Sequence, residues 1–229
     1  MTPAVTTSAP ALSTAQPFFD WAWVDRNRDY VVEQFIEHLV LTAIPMVLGL
    51  VIASLLAVVA VRYPRSYSPL LSITGLMFTI PSLALFVLLL PFTGLTIWVA
   101  VIPLTIYTLL ILLRNIVEGF RGIAPSVRDS ATAMGFRRPR QILRVELPLA
   151  LPVIFAGLRI ATVTTIGLVT VSALVGQGGL GQLFLDGFYR SFPTPLLVGL
   201  VLAIALALTA DLLLIGLQRL LTPWTRVET

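Results

Sequence analysis

The sequence predicts an all-α membrane protein with five transmembrane helices. Of its 229 residues, 57% are hydrophobic and only 11% are charged, and the mean hydropathy is +0.96. A soluble domain carries about 25% charged residues, so much of this surface must face lipid. Five apolar stretches are each long enough for a helix to cross a bilayer, which takes about 20 residues. The predicted spans are Phe35–Val61, Leu70–Leu90, Leu95–Leu113, Leu149–Val175 and Leu196–Leu221.

The segment before the first span differs from the rest of the chain. Its first 17 residues, MTPAVTTSAPALSTAQP, contain neither a basic start nor an apolar run, so we do not expect a secretory signal peptide. Aromatic residues then alternate with acidic ones from Phe18 to Tyr30, and amphipathic aromatic side chains favour the headgroup level. We interpret this stretch as an interfacial helix or anchor. A substrate-binding aromatic patch is the alternative.

The distribution of arginine predicts the orientation of the spans. All 15 basic residues are arginine. If the loop between spans three and four is cytoplasmic, eleven arginines lie on its side and three on the other, which satisfies the positive-inside rule. Residues 1–34 are then an extracellular tail and interfacial segment, 35–221 the transmembrane domain and 222–229 a cytoplasmic tail. The eleven are Arg62, Arg65, Arg114, Arg121, Arg128, Arg137, Arg138, Arg140, Arg144, Arg219 and Arg226, and the three are Arg26, Arg28 and Arg190.

The composition also excludes several functions. Without lysine, the chain has no P-loop of the usual form, and without cysteine it has no thiol or iron–sulfur chemistry. His38 is the single histidine, so a catalytic zinc site is not expected, and no cofactor or metal site is predicted. We expect His38, beside Glu37, to be an interfacial side chain that reaches toward water. No nucleophile, base and orienting group form a set, so an enzyme is not expected.

The long polar stretch between spans three and four carries the signals of two short helices. Ser126 and Asp129 have the spacing of a helix-capping box. Val127, Ala131 and Met134 recur at i, i+4 and i+7, which predicts a single apolar helix face.

The same stretch, about residues 121–148, contains residues typical of helix ends. Gly135 stands where a helix-ending glycine belongs, Pro139 favours the start of a second helix, and Pro148 marks the start of span four. Such an amphipathic pair could lie on an anionic lipid surface or dock into another protein, and physical reasoning alone leaves both open. A DNA-binding helix-turn-helix is improbable between two spans.

Here the sequence resembles the permease subunits of ABC importers. Asp129-Ser130-Ala131, three residues, Gly135, nine residues and Val145-Glu146-Leu147-Pro148 have the spacing of the family signature EAA, three residues, G, nine residues, I-x-L-P. The departures are Asp for Glu, Ser for Ala and Val for Ile.

The resemblance implies a type I ABC importer permease fold in a bacterial plasma (inner) membrane. It implies that this loop is a coupling helix inserting into a separate ATP-binding subunit. It also implies a second permease copy or paralogue and an extracellular solute-binding protein as partners. The coupling residues would be Ser126, Asp129, Ala131, Met134, Gly135, Val145, Leu147 and Pro148.

Two further segments narrow the resemblance. VELPLALPVIFAGLRIATV, residues 145–163, and LVGQGGLGQLF, residues 174–184, are similar to permeases for glycine betaine, carnitine, choline or proline. Methionine permeases share the GGLG element and five spans, and are the near alternative. An ion-gradient-driven secondary transporter and a membrane scaffold without transport activity are the rivals. Five spans do not divide into two repeated halves, which disfavours the former.

Two ionisable residues fall within predicted spans. Arg159 lies in span four and Asp211 in span five, at about equal depth from the cytoplasmic ends. Because an unpaired charge at that depth is costly, we hypothesise that they pair and hold the two helices together. The alternative is that each faces a wet cavity or a subunit interface.

Four glycines follow span four on the outer side, at positions 176, 178, 179 and 181. They allow tight turns or close backbone approach. In the resembled family Gly176, Gly178, Gly179 and Gly181 belong to the extracellular gate region, and a flexible connector is the alternative.

Overall fold

The computed structural model describes residues 18–224, and all of their regular structure is helical. The predicted tail before Phe18, the last residues of the C-terminal tail and Arg226 lie outside the described residues. The helices are α1 Trp21–Arg26, α2 Arg28–Arg62, α3 Tyr67–Thr79, α4 Ser82–Thr93, α5 Trp98–Arg121, α6 Pro125–Ala133, α7 Arg138–Gln141, α8 Leu147–Ser172, α9 Leu180–Tyr189 and α10 Pro193–Leu221.

The predicted second span is not a single helix. It is divided into α3 and α4, which are bent by 91° where Ile80 and Pro81 leave the helical conformation. Proline lacks the amide hydrogen that would continue α3. The Ile80 carbonyl, left without a helical donor, instead accepts a hydrogen bond of 2.5 Å from the Tyr107 hydroxyl of α5. The predicted span Leu70–Leu90 is therefore present as two helices joined at Pro81.

The broken pair nevertheless carries the chain across the bundle. Leu41 of α2 packs with Val99 near the start of α5, and Ala57 packs with Ile116 near its end, so α2 and α5 are parallel. Two parallel neighbours require a return crossing between them. The Tyr67 hydroxyl of α3 donates to Glu118 Oε1 near the end of α5 (2.8 Å), whereas α4 packs near the start of α5. With α8 and α10, and with the bent pair counted as one span, residues 18–224 make five crossings.

Helix α5 forms the centre of the bundle, with most of its apolar residues buried against α2 and α8. Glycines in α2 and α8 allow these two helices to approach α5 closely. A side-chain carbon on Gly49 would overlap Thr108, and one on Gly157 would overlap Asn115. By contrast, α10 contacts α8 and α9 on one side and exposes long aliphatic side chains on the other.

The segment before α2 forms one short helix, α1. The Asp20 carboxylate accepts a hydrogen bond from the Trp23 amide (3.2 Å), which caps its start. Phe18 and Trp21 are each 74% exposed beside this helix, as expected of aromatics at a membrane surface. The first transmembrane helix begins at Arg28 rather than at the predicted Phe35.

Candidate functional site

The polar loop between α5 and α8 folds into α6 and α7, but its first helix does not begin with the predicted capping box. Ala124 precedes the helix, Pro125 occupies its first turn, and no side chain caps it. Proline's fixed φ and missing amide hydrogen suit this position. Ser126 consequently lies inside the first turn of α6 rather than at the N-cap position. Ser126 and Asp129 therefore do not form the predicted capping box. Both side chains are exposed.

The predicted single apolar face of α6 is also wrong. Ala131 is completely buried and Val127 half-buried, but Met134 is 69% exposed. The difference arises because the helix ends at Ala133 and Met134 is its C-cap, where the chain turns away. The loop therefore exposes the Met134 side chain where α6 ends.

Gly135 ends α6 as the sequence predicted. Its φ is +80°, in the left-handed region that glycine adopts at little cost. The Phe136 amide donates to the Ala131 carbonyl (3.1 Å) and the Gly135 amide donates to the Thr132 carbonyl (2.9 Å). These two bonds are the Schellman motif, which satisfies the last carbonyls of a helix. The turn from α6 toward α7 thus has a fixed geometry.

Glu146 connects the loop to α8, a role that was not predicted from the sequence. Its side chain is completely buried. Arg138 Nη1 of α7 donates to Glu146 Oε1 at 2.5 Å, and Arg128 Nε of α6 lies 3.5 Å from Oε2, near enough for an ion pair but not for a hydrogen bond. Arg128 Nη2 also donates to the Phe120 carbonyl at the end of α5 (2.6 Å). One carboxylate therefore links both loop helices to the bundle.

The remaining motif residues lie where the loop joins α8. Residues Ile142–Glu146 form a π-helical turn, which continues directly into α8 at Leu147. Val145, Leu147 and Pro148 are half-buried there, and Pro148 is in the first turn of α8. A π turn has hydrogen bonds between residues i and i+5, rather than i and i+4 as in an α-helix, and often occurs at functional positions.

An apolar cavity of about 870 Å³ lies between this junction, α2 and α5. Glu146 and Arg138 form part of its polar wall, and Ala57, Ile116 and Ile154 part of its apolar wall. The buried carboxylate thus lies at the edge of a largely apolar space.

Near the middle of α8 and α10, the structure brings Arg159 and Asp211 together. Arg159 Nε lies 2.6 Å from Asp211 Oδ1, and Nη2 lies 2.9 Å from Oδ2. This two-bond geometry is the strong form of an arginine–carboxylate pair. The side chains retain 34% and 26% exposure, and they line a groove of about 520 Å³ between the two helices.

The glycine segment after α8 combines tight turns with close backbone approach. Gly176 and Gly179 have φ of +77° and +76°. A side-chain carbon on Gly178 would overlap the Glu37 carboxylate, and one on Gly181 would overlap the Thr170 backbone of α8. At each of the four positions, either the backbone conformation or the close packing therefore requires glycine. The segment packs against α2 and α8 rather than forming an open connector.

Glu37 and His38 hold this segment against α2. The Glu37 carboxylate accepts hydrogen bonds from the Gly178 and Gly179 amides, at 3.3 Å each. His38 Nδ1 accepts from the Leu180 amide at 3.2 Å, so its Nε2 carries the hydrogen and donates to the Ile166 carbonyl at 3.2 Å. His38 is completely buried, so its prediction as an interfacial side chain was wrong. Its two hydrogen bonds compensate for lost hydration.

Sequence patterns carried no signal for the role of Glu37, because the amides that bind it lie 141 and 142 residues further along the chain. A weak signal was available for Glu146. It is a single acid directly before an apolar span, among arginines that require a counter-charge.

Residues 39–227 match the family described as binding-protein-dependent transport system inner membrane component. The osmoprotectant import permease protein OsmW of Salmonella typhimurium is 36% identical, over 86% of this chain and 94% of its own length. The choline transport system permease protein OpuBB of Bacillus subtilis is 34% identical, over 82% and 86%. A carnitine transport permease protein, OpuCD of Listeria monocytogenes, is also 34% identical, over 86% and 89%.

Among solved structures, the MetNI methionine ABC transporter in inward-facing conformations has the same fold. The TM-score is 0.75 at 24% identity, covering 84% of this chain and 96% of that chain. This likeness concerns the arrangement of helices alone.

Proposed function

The chain belongs to the family of binding-protein-dependent transport system inner membrane components, and from that premise we propose that it is the permease subunit of an ATP-driven importer for a small osmoprotectant. The candidate solutes are glycine betaine, choline, carnitine and proline. The observation that carries the proposal is identity of 32–36% to osmoprotectant, choline and carnitine permeases over most of the chain. A permease for methionine has less support, because the MetNI likeness is structural and at 24% identity.

The α6–α7 loop is the proposed contact with a separate ATP-binding subunit. Its tip exposes Met134, and the Schellman turn at Gly135 fixes where that side chain points. An exposed apolar side chain beside a turn of fixed geometry suits insertion into a groove of another protein. Because Glu146 links the loop to α5 and α8, displacement of the loop would be transmitted to the spans.

The proposed orientation places this loop in the cytoplasm and the glycine segment outside. The arginines of the loop end support it, following the positive-inside rule. A second permease copy or paralogue would complete the pathway, and an extracellular binding protein would deliver the solute. ATP drives the cycle only if it favours one of the inward-open and outward-open states over the other.

Reconstitution tests the proposal. The complete complex in proteoliposomes, supplied with the solute-binding protein, is expected to accumulate radiolabelled glycine betaine, carnitine or choline when ATP is enclosed with the ATP-binding subunit. Dissipating proton and sodium gradients should leave uptake unchanged. Uptake that stops with those gradients and ignores ATP would contradict the proposal.

A further inference from the structure

Arg159 and Asp211 lie near the middle of two membrane-spanning helices, yet both charged groups remain partly exposed in the groove between α8 and α10. Charged groups at this depth are not stable against acyl chains, so the groove must open to water or to another protein. In a transport protein, water reaches the middle of the membrane along the solute path. Of these two openings, water along the solute path is the one that would make the ion pair accessible to a solute.

The groove has the properties of a small-molecule site. Its volume, about 520 Å³, falls within the about 300–1,000 Å³ typical of ligand pockets, which combine apolar walls with a few polar groups. Beyond the two charged residues, Thr164 offers a hydroxyl. The rest of the lining is aliphatic and consists of Ala156, Ile160, Val163, Ala207 and Leu208.

We propose that this groove is a transient solute site in which a zwitterion exchanges partners with the Arg159–Asp211 ion pair. The inference deepens the proposed function and rests on it. The solute carboxylate takes the place of Asp211 on the two donors of Arg159, and the solute cation lies against the Asp211 carboxylate. Methyl groups of a quaternary ammonium pack against the aliphatic lining.

Partner exchange explains why an ion pair suits a transport site. In the empty state each protein charge has its partner, and in the occupied state each has an opposite charge on the solute. Neither state leaves an unpaired charge in the membrane, so the solute binds and leaves without a large penalty. A path requires binding that is favourable enough to admit a solute and weak enough to release it. None of the lining residues within the described range 18–224 is aromatic, so the proposed recognition rests on the ion pair and the aliphatic side chains rather than on cation–π contacts.

If Arg159 binds the solute carboxylate, its substitution should affect solutes that carry a carboxylate more than those that do not. Carnitine and glycine betaine carry a carboxylate, whereas choline carries the quaternary ammonium without one. In proteoliposomes with the whole complex, R159Q is expected to reduce uptake of carnitine and glycine betaine at least about tenfold more than uptake of choline, because a hydrogen bond to a charged group is lost. D211N is expected to reduce uptake of all three. Arg65→Gln, at an exposed arginine outside the groove, is the control and should change none.

All rates are normalised to complex that co-purifies with the ATP-binding subunit. If R159Q does not assemble, R159K keeps the charge but loses the two-donor geometry, and the same selective loss is expected. Parallel loss of all three solutes in the Arg159 variants would overturn the substrate role while leaving the importer intact. Failure of the unaltered complex to take up any of the three would instead contradict the proposed function.

Discussion

At the scale of single residues, two positions decide how the α6–α7 loop is held. Gly135 supplies a left-handed turn that completes the Schellman motif. Glu146 supplies a buried carboxylate between arginines of both loop helices. Gly135 acts through its backbone conformation and Glu146 through its charge. Substitutions at the two positions therefore test the two effects separately.

Gly135 tests the conformational requirement. An added side-chain carbon would meet no atom within 4 Å, so the cost of G135A comes from φ alone. That cost is about 1–2 kcal/mol for a residue with a side chain in the left-handed region. G135A should raise amide hydrogen exchange across residues 131–137, and G135N should raise it less, because asparagine tolerates this conformation. Equal exchange in both variants and the unaltered protein would show that the turn is not required.

Glu146 tests the charge requirement. E146Q keeps the shape of the side chain but removes the charge that Arg138 and Arg128 share. We expect the loop to be destabilised by about 2 kcal/mol. Hydrogen exchange over residues 125–141 should rise, and solute uptake per ATP hydrolysed should fall.

The matched control is Glu118→Gln, which alters a carboxylate at the same end of the bundle. Glu118 accepts a hydrogen bond from the neutral Tyr67 hydroxyl and has no ion pair with an arginine among the pairs described for residues 18–224. Uptake per ATP that falls equally in both variants would contradict a specific role for Glu146.

At the scale of helices, the length and spacing of apolar residues predicted those elements whose boundaries depend on nearby residues. Four spans, the two loop helices and the turn at Gly135 follow from apolar stretches, prolines and one glycine. Pro81 indicates a kink in the second span, but the 91° bend was not predictable, because the stabilising Tyr107 hydroxyl lies on another helix. Burial of His38 was missed for the same reason. Its partners, Leu180 and Ile166, are distant in sequence.

Gly181 tests the packing of α9 against α8. An added side-chain carbon would overlap the Thr170 backbone, which cannot rotate away as a flexible side chain could. G181A is therefore expected to lower stability by about 1–3 kcal/mol, the usual cost of overpacking. Thermal unfolding of the purified protein in detergent measures it. Gly167→Ala is the control, because Gly167 lies within α8 with no atom within 4 Å of the added carbon. Equal melting temperatures for the two variants would contradict the packing account.

At the scale of the whole molecule, the structure has two chemically distinct ends. One end carries α6, α7 and the arginine-rich loop around a buried carboxylate. The other carries the glycine segment held by Glu37 and His38, together with α9. The Arg159–Asp211 pair lies between them. Such an arrangement suits a subunit that receives force at one end and solute at the other.

Cysteine labelling tests which end faces the cytoplasm. The chain has no native cysteine, so single substitutions report without background. Met134 at the loop end and Phe188 in α9 are exposed by 69% and 73%. In right-side-out vesicles, a membrane-impermeant maleimide should label F188C and not M134C, and in inverted vesicles the result should reverse. The opposite pattern would contradict the proposed orientation.

The most direct test of the central claim is disulfide cross-linking from position 134 to the ATP-binding subunit in intact membranes. M134C is expected to form a cross-link with a cysteine placed in the groove of that subunit. The cross-link should stop ATP-driven uptake, and reductant should break it and restore uptake. F188C should form none. Failure of every position from Asp129 to Met134 to cross-link, while ATP-driven uptake proceeds, would contradict a mechanism in which the ATP-binding subunit acts through this loop.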